Sequence, residues 1–125
     1  MWIAVDFDGT VVTHEYPIVG RDIGAVPVLR KLINNKHKLL LNTMRSGQSL
    51  DSAIDWFNVR NIFLHGINTN PSQKEWTISP KCYAELYIDD AALGVPLVYP
   101  DDGQTRPYVD WKSVELILCN KGIIV

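Results

Sequence analysis

The sequence has little that would mark a membrane protein, a disulfide framework or a secreted chain. Its longest uninterrupted apolar runs are four or five residues, whereas a membrane-spanning helix needs about 20. Its only cysteines, Cys82 and Cys119, lie 37 positions apart and lack metal-ligand spacing, which is typical of a reducing compartment. The N-terminal stretch MWIAVDFDGT has no basic segment followed by a long apolar one, so it does not resemble a signal peptide. We therefore expect a soluble cytoplasmic protein.

The sequence also lacks a large excess of positive or negative charge. Twelve Lys and Arg residues stand against 14 Asp and Glu residues, for a formal charge of −2. Because there is no basic stripe, composition gives no sign of a nucleic-acid partner or a membrane-surface partner. What the chain does have is 46% hydrophobic residues in 125, enough to bury the core of one ordinary domain. We expect residues 1–125 to form that single domain.

The hydrophobic pattern predicts an α/β fold with a mainly parallel sheet. Five short apolar runs without polar alternation indicate buried strands, at Trp2–Phe7, Lys38–Asn42, Ile62–Leu64 (with an extension to Ile67 left open), Leu86–Ile88 and Leu97–Tyr99. Helical patterns alternate with them, with apolar stripes at Val26, Leu29 and Ile33, then at Leu50, Ala53, Ile54 and Phe57, and a last helix between Asp110 and Gly122. Two irregular stretches, Gly9–Asp22 and Asn68–Tyr83, are expected to cover a site at the strand ends.

Acidic and hydroxyl side chains follow three of the predicted strands. Asp6 and Asp8 leave the first strand, Thr43 follows the second, and Asp89 and Asp90 follow the fourth. Neighbouring carboxylates repel each other and need a counter-charge or a metal, and hard oxygen ligands suit Mg²⁺. Taken singly, each residue has a plainer interpretation, since one Asp can cap a turn and a Thr can cap a helix.

The order of these motifs resembles a known family. Residues WIAVDFDGT (2–10), then LLLNT (39–43), then a lysine, then LYIDD (86–90) follow the four-motif pattern of haloacid dehalogenase (HAD) superfamily phosphohydrolases. The final segment, RPYVDW (106–111), resembles that of small capless members. The resemblance implies a Rossmann-like three-layer sandwich with a five-stranded, mainly parallel sheet and no cap domain.

The resemblance also implies catalytic roles. Asp6 would be the nucleophile that passes through an aspartyl-phosphate, and Asp8 would act as the general acid and base. Thr43 would hold phosphoryl oxygens, and a lysine would neutralise charge on the phosphate. Lys81 is favoured over Lys74 for that position, and a solvated surface lysine remains the alternative for both.

For the metal, the resemblance implies Mg²⁺ bound by the Asp6 carboxylate, the Asp8 backbone carbonyl and the acidic pair. Asp90 would bind it directly and Asp89 from further out. Weaker candidates for contacting substrate or its phosphate are Thr10, Arg45 and Lys74, with an exposed ion-pairing role equally open for Arg45. Trp76 is the tryptophan best placed to touch a substrate. The three histidines have no metal-ligand spacing and are interpreted as structural or solvated, at His14, His37 and His65.

Together these observations predict a Mg²⁺-dependent phosphohydrolase acting on a small-molecule or macromolecular phosphomonoester. Only 32 residues separate Thr10 from Thr43 and 45 separate Thr43 from Asp89, fewer than the roughly 50 that a separate cap domain needs. The alternatives are a non-catalytic Mg²⁺- and phosphate-binding domain and, with less support, a metal-dependent nuclease, which would need a basic groove. A response-regulator receiver domain has similar ingredients in a different order. The substrate and the oligomeric state are not predicted.

Overall fold

A parallel sheet forms the centre of the computed structural model, which describes residues 1–125. Its four strands are β1 (Trp2–Val5), β2 (Lys38–Leu41), β3 (Gly66–Ile67) and β4 (Leu86–Ile88). They lie in the order β3-β2-β1-β4, and every neighbouring pair is parallel. The predicted α/β class with a mainly parallel sheet is confirmed.

The register brings the strand ends level with one another. In β1, Val5 lies opposite Leu41 of β2 and Ile88 of β4. The ladders continue one residue further, because the Asp6 amide donates to the Ile88 carbonyl at 3.0 Å. The residues that follow β1, β2 and β4 therefore emerge side by side at one edge of the sheet.

Three helices pack on this sheet: α1 (Ala25–Asn34), α2 (Gly47–Asn58) and α3 (Trp111–Asn120). The buried face of α1 differs from the predicted one, because Val26 and Ile33 are only half-buried. Spacings of i, i+3, i+4 and i+7 also fit the residues that are buried, which are Ala25, Val28, Leu29 and Leu32. None of the helices is long and apolar enough to cross a membrane.

The ends of α3 match the sequence prediction. Asp110 caps the N-terminus, where it accepts a hydrogen bond from the Ser113 hydroxyl at 2.8 Å. This bond lowers the pKa of the Asp110 carboxyl. At the other end, Gly122 has a φ of +72°, the left-handed conformation that glycine adopts with little strain after a helix.

Two of the predicted strands are placed differently in the structure. Ile62–Leu64 is not a strand, because the Ile62 amide bonds the Phe57 carbonyl at the end of α2, and the ladder with β2 begins only at Gly66. The fifth predicted strand is shortened to β5 (Leu97–Val98) and pairs antiparallel with β6 (Tyr108–Val109), outside the main sheet. Prolines at both ends of this run lack an amide hydrogen and limit its pairing. The predicted five-stranded sheet therefore has four strands.

Packing ties α3 to the turn that follows β1. Phe7 is fully buried in the core, and the buried indole of Trp111 donates to the Thr10 carbonyl at 2.7 Å. A further backbone bond joins the Val109 amide to the Gly9 carbonyl at 3.0 Å. The residues at the end of β1 are thus fixed from the core side and from the C-terminal part of the chain.

The Trp111 hydrogen bond can be tested by a conservative substitution. Trp111→Phe keeps an aromatic ring but leaves the Thr10 carbonyl unpaired, and we expect a loss of about 1–3 kcal/mol in the free energy of unfolding, measured with urea. Trp2→Phe is the matched control, since the Trp2 indole nitrogen has no hydrogen-bond partner in the protein. The Trp2 ring packs edge-on against the His65 ring. Equal losses in the two variants would show that the bond contributes nothing specific.

Candidate functional site

A cleft of about 470 Å³ opens at the carboxyl ends of the strands. Its floor is formed by four carboxylates, those of Asp6, Asp8, Asp89 and Asp90. Because Phe7 points into the core between them, Asp6 and Asp8 both face the cleft, as alternation along an extended chain requires. The other lining residues are Thr43, Met44 and Arg45 after β2, Ala91 after β4, and His14, Tyr16 and Arg106 from surrounding loops.

Three of the acids form a compact cluster. One carboxylate oxygen each from Asp6, Asp89 and Asp90 lies within 4.8 Å of the other two. We call these three residues the acid cluster. Their proximity follows from the sheet order, because β1 and β4 are neighbours although 82 residues lie between their ends along the chain.

The buried hydroxyl of Thr10 joins two members of the acid cluster. It lies 2.9 Å from Asp6 Oδ2 and 3.4 Å from Asp90 Oδ1, to either of which it can donate its proton. It also accepts the backbone N–H of Asp90 at 3.0 Å. Thr10 was a weak candidate for contacting phosphate, and the structure places its side chain, 0% exposed, beneath the carboxylates as a support.

The electrostatics of the acid cluster show a deficit of positive charge. Burial raises the pKa of Asp6 to about 7, and the nearby Asp89 and Asp90 carboxylates raise it as well, against hydrogen bonds from the Phe7 amide and Thr10 that lower it. Burial also raises the pKa of Asp90, with a contribution from Asp89. No lysine or arginine forms an ion pair with these three acids. A proton or an external cation is therefore the remaining way to balance them.

The donor set fits a hard divalent cation. Carboxylate oxygens are the ligands Mg²⁺ prefers, and it commonly takes only one or two of them together with water. Asp89 and Asp90 each bring a carboxylate oxygen within 4.8 Å of one on Asp6. The division into an inner Asp90 and an outer Asp89 stays a prediction. Asp8 belongs to the cleft but its carboxylate is not part of the acid cluster.

Gly9 leaves the space that this arrangement needs. A Cβ atom at this position would lie 2.3 Å from Asp90 Oδ2, and the backbone φ is +76°. Both the close approach and the left-handed conformation require glycine. The glycine of the DFDGT motif therefore allows β1 and β4 to bring their acids together.

Asp8 is held by Arg45 rather than left free in the cleft. Arg45 Nε donates to Asp8 Oδ2 at 2.8 Å and Nη2 donates to Asp8 Oδ1 at 2.7 Å. The Arg45 side chain is 1% exposed and that of Asp8 is 13% exposed. The sequence left two roles open for Arg45, phosphate binding or an exposed ion pair. The structure shows an ion pair with Asp8 that is buried and bidentate. Such a pair is strong and geometrically specific.

Thr43 lies in the cleft wall with its backbone fixed on both sides. Its amide donates to Asn68 Oδ1 at 2.7 Å, and its hydroxyl accepts the Arg45 amide at 3.1 Å. The helix α2 begins at Gly47, and none of its residues lines the cleft. The surface available to an anion here is therefore the Thr43–Arg45 segment rather than the helix N-terminus.

The candidate lysines lie outside this cleft. Lys81 borders a neighbouring cavity of about 450 Å³, which shares Asp89 and Ala91 with the cleft, and its ammonium lies 5.6 Å from the centre of the Tyr87 ring. Lys74 is exposed on a short 3₁₀ turn, Gln73–Glu75, and lines neither cavity. Trp76 stacks edge-on with Tyr83 and also lies away from the cleft.

Sequence reasoning missed the upper edge of the cleft. His14, Tyr16, Met44 and Arg106 line it, and we call these four residues the rim. Arg106 Nη1 lies 3.2 Å from His14 Nε2, across 92 positions of sequence. Nothing in residue spacing indicates such a contact, because it depends on how two irregular loops meet above the sheet.

Comparison with solved structures shows a similarity that extends over nearly the whole chain. The solved structure of a conserved protein from Bacteroides thetaiotaomicron superposes with a TM-score of 0.78 and 36% sequence identity. The match covers 97% of this chain and 91% of the Bacteroides protein. No family model matches the sequence, and no curated protein does.

The raised pKa of Asp6 predicts how stability depends on pH. An acid whose pKa is higher in the folded than in the unfolded protein takes up protons on folding, so stability falls as pH rises from about 4 through 7. For the metal-free protein in EDTA we expect the melting temperature to fall between pH 5 and pH 8, with the fall reduced in Asp6→Asn. The exposed Asp51→Asn variant should follow the wild type. Equal slopes for wild type and Asp6→Asn would contradict the assignment.

A double-mutant cycle measures the Asp8–Arg45 pair. Asp8→Asn or Arg45→Met alone should cost about 3–5 kcal/mol in the free energy of unfolding, because each leaves a buried charge without its partner. The double variant should lose less than the sum of the single losses. As the matched control, the exposed pair Arg21–Glu15, at 3.7 Å, should show a coupling below about 1 kcal/mol. A coupling near zero for Asp8 and Arg45 would refute the pair's structural importance.

Proposed function

The chain belongs to the same family as the conserved Bacteroides thetaiotaomicron protein, and we propose that it hydrolyses phosphomonoesters through an aspartyl-phosphate on Asp6. The observation that carries the proposal is the acid cluster, in which Asp6 lies beside two further carboxylates at the carboxyl ends of the parallel strands. The motif resemblance to HAD superfamily phosphohydrolases supports the same interpretation, and a HAD-like fold is part of the proposal. The free thiols of Cys82 and Cys119 support a cytoplasmic location.

In the first step a carboxylate oxygen of Asp6 attacks phosphorus, and the ester oxygen leaves with the bonding electron pair. Thr10 supports this attack, since its hydroxyl fixes Asp6 Oδ2 while the other oxygen, Oδ1, makes no bond to it. Thr43 borders the same cleft and offers a hydroxyl for phosphoryl oxygens. Holding the nucleophile and the phosphate in one orientation lowers the entropic part of the barrier.

In the second step water attacks the aspartyl-phosphate and releases inorganic phosphate, which restores the Asp6 carboxylate. Asp8 is the proposed base for this water. Both of its oxygens bond Arg45, so a protonated Asp8 requires one of these bonds to be given up. The same exchange applies to the acid role and to the base role, because Asp8 carries the proton before the one and after the other. We therefore propose esters whose leaving group needs little proton donation as the substrates.

The proposed cofactor is Mg²⁺, held by Asp6, Asp90, Asp89 and the Asp8 backbone carbonyl. It would supply the positive charge that lets an anionic phosphate approach an acidic floor. Lys81 is the proposed lysine rather than Lys74, because it borders the adjoining cavity next to Asp89. Its long side chain carries the ammonium on a flexible stem.

Aryl phosphate turnover tests the proposal. With Mg²⁺ the wild type should release 4-nitrophenol from 4-nitrophenyl phosphate, and Asp6→Asn should lower kcat about 10³-fold or more, because the covalent route is lost. The exposed Asp51→Asn variant removes the same charge from helix α2 and should retain the wild-type rate. An inactive wild type across a panel of phosphate esters, or an active Asp6→Asn, would overturn the enzymatic interpretation.

A second candidate, a non-catalytic domain that binds Mg²⁺ and phosphate, is favoured by one observation. The buried guanidinium of Arg45 bonds both oxygens of Asp8, the carboxylate that would otherwise transfer protons. Beryllofluoride, which mimics a phosphoryl group, separates the two candidates when its binding to wild type and Asp6→Asn is measured by calorimetry. Binding at Asp6 without turnover of any ester would assign the chain to the non-catalytic class.

A further inference from the structure

We propose that Arg106 binds a second anionic group of the substrate, so that the cleft selects phosphomonoesters carrying an additional carboxylate or phosphate. The inference rests on the proposed function and deepens it by naming the substrate class. It begins from the rim, which the catalytic assignment leaves unused. Arg106 is exposed there, whereas the acids of the floor are partly buried.

The cleft has two arginines, and only one of them is free to meet a ligand. Arg45 uses all of its polar nitrogens within the protein. Besides Asp8, it donates through Nη1 to the Pro17 and Ser49 carbonyls at 3.0 Å each and through Nη2 to the Ile18 carbonyl at 2.9 Å. Arg106 forms no ion pair, and its side chain makes a single hydrogen bond within the protein, between Nη1 and His14. It is therefore the one uncommitted permanent cation among the lining residues.

The free atoms of Arg106 have the geometry for an anion. With Nη1 beside His14 Nε2 at 3.2 Å, Nε and Nη2 have no partner in the protein. These two nitrogens form the fork that bonds a carboxylate or phosphate through two parallel hydrogen bonds. Because the floor carries four carboxylates and one committed arginine, a second anion on the substrate would find its counter-charge at Arg106 and not below it.

The backbone that carries Arg106 is fixed on both sides. Before it, Asp102 accepts the Thr105 hydroxyl and the Gln104 and Thr105 amides, bonds that lower the pKa of Asp102 to about 2. After it, Pro107 leads into β6, whose Val109 bonds Gly9 beside the nucleophile. Because hydrogen bonds hold the backbone on both sides of Arg106, we expect binding there to cost less conformational entropy than binding at an unsupported loop.

The rest of the rim suggests what joins the two anions. Tyr16 is exposed and Met44 is 98% exposed, so both offer apolar surface to a ligand in the cleft that Arg106 also lines. An apolar or aromatic spacer between the phosphate and the second anion would bury part of this surface. A phenyl ring bearing a phosphate and, opposite it, a carboxylate is the simplest probe of this arrangement.

The test compares phenyl phosphate with 4-carboxyphenyl phosphate, with Mg²⁺ present. We expect the wild type to prefer the carboxylated ester about 10-fold in kcat/KM, mainly through KM, and Arg106→Gln to abolish that preference. Arg106→Lys should keep part of it, because a point charge remains without the fork. The matched control is Arg30→Gln, an exposed arginine of α1 outside the cleft, which should keep the full preference.

An equal ratio of the two substrates in wild type and Arg106→Gln, or no preference in the wild type, would overturn the assignment. If the wild type hydrolyses neither ester, the proposed function fails and binding decides the inference separately. Calorimetric titration of 4-carboxyphenyl phosphate should then show binding at least 5-fold weaker in Arg106→Gln than in wild type. Equal affinities, or no binding to the wild type, would refute the role of Arg106.

Discussion

A buried guanidinium is the constraint on which the rest of the site depends. Arg45 sits in the loop after β2 with almost no exposure, and a charge in such surroundings must be paired and fully hydrogen-bonded. It meets this demand with Asp8 and with the carbonyls of Pro17, Ile18 and Ser49. The direction of Asp8, the path of the loop above it and the start of α2 are therefore set by one side chain.

The carboxylates on the floor of the cleft differ in how their negative charge is balanced. Asp8 has its counter-charge inside the protein, in the Arg45 fork. The acid cluster does not, and Thr10 supplies only one hydroxyl to hold Asp6 and Asp90. Burial, together with the nearby Asp89 carboxylate, raises the pKa of Asp6 and of Asp90, and the acid cluster is the place where a cation is most favourable. Asp8 is therefore balanced inside the protein, whereas the acid cluster is balanced only by a proton or an external cation.

The sequence predicted the parts of the molecule that follow from strand ends. The carboxyl ends of parallel strands meet at one edge of a sheet, so strand order alone predicts that Asp6, Thr43 and Asp89 lie close together. Arg45 and Arg106 could not be placed in this way, because the first contacts Asp8 across 37 positions and the second meets His14 across 92. Such contacts depend on how irregular loops fold over the sheet, and loop geometry has no periodic signal.

The same reasoning explains the errors in the strands. A run such as Ile62–Leu64 has the composition of a buried strand, yet its first amide is taken by the last turn of α2. Leu97–Val98 is apolar as well, but its prolines restrict it to a two-residue pair with β6. The hydrophobic pattern identified apolar segments, but it did not show which of them pair in the main sheet. That depends on which partners the backbone amides and carbonyls of each segment bond.

The small sheet has a consequence for the protein in concentrated solution. Its outer strands, β3 and β4, have only two and three residues. An open strand edge is a template on which another chain can add by backbone hydrogen bonding, and short edges offer few such groups. The fold therefore limits edge-to-edge aggregation through the brevity of its strands.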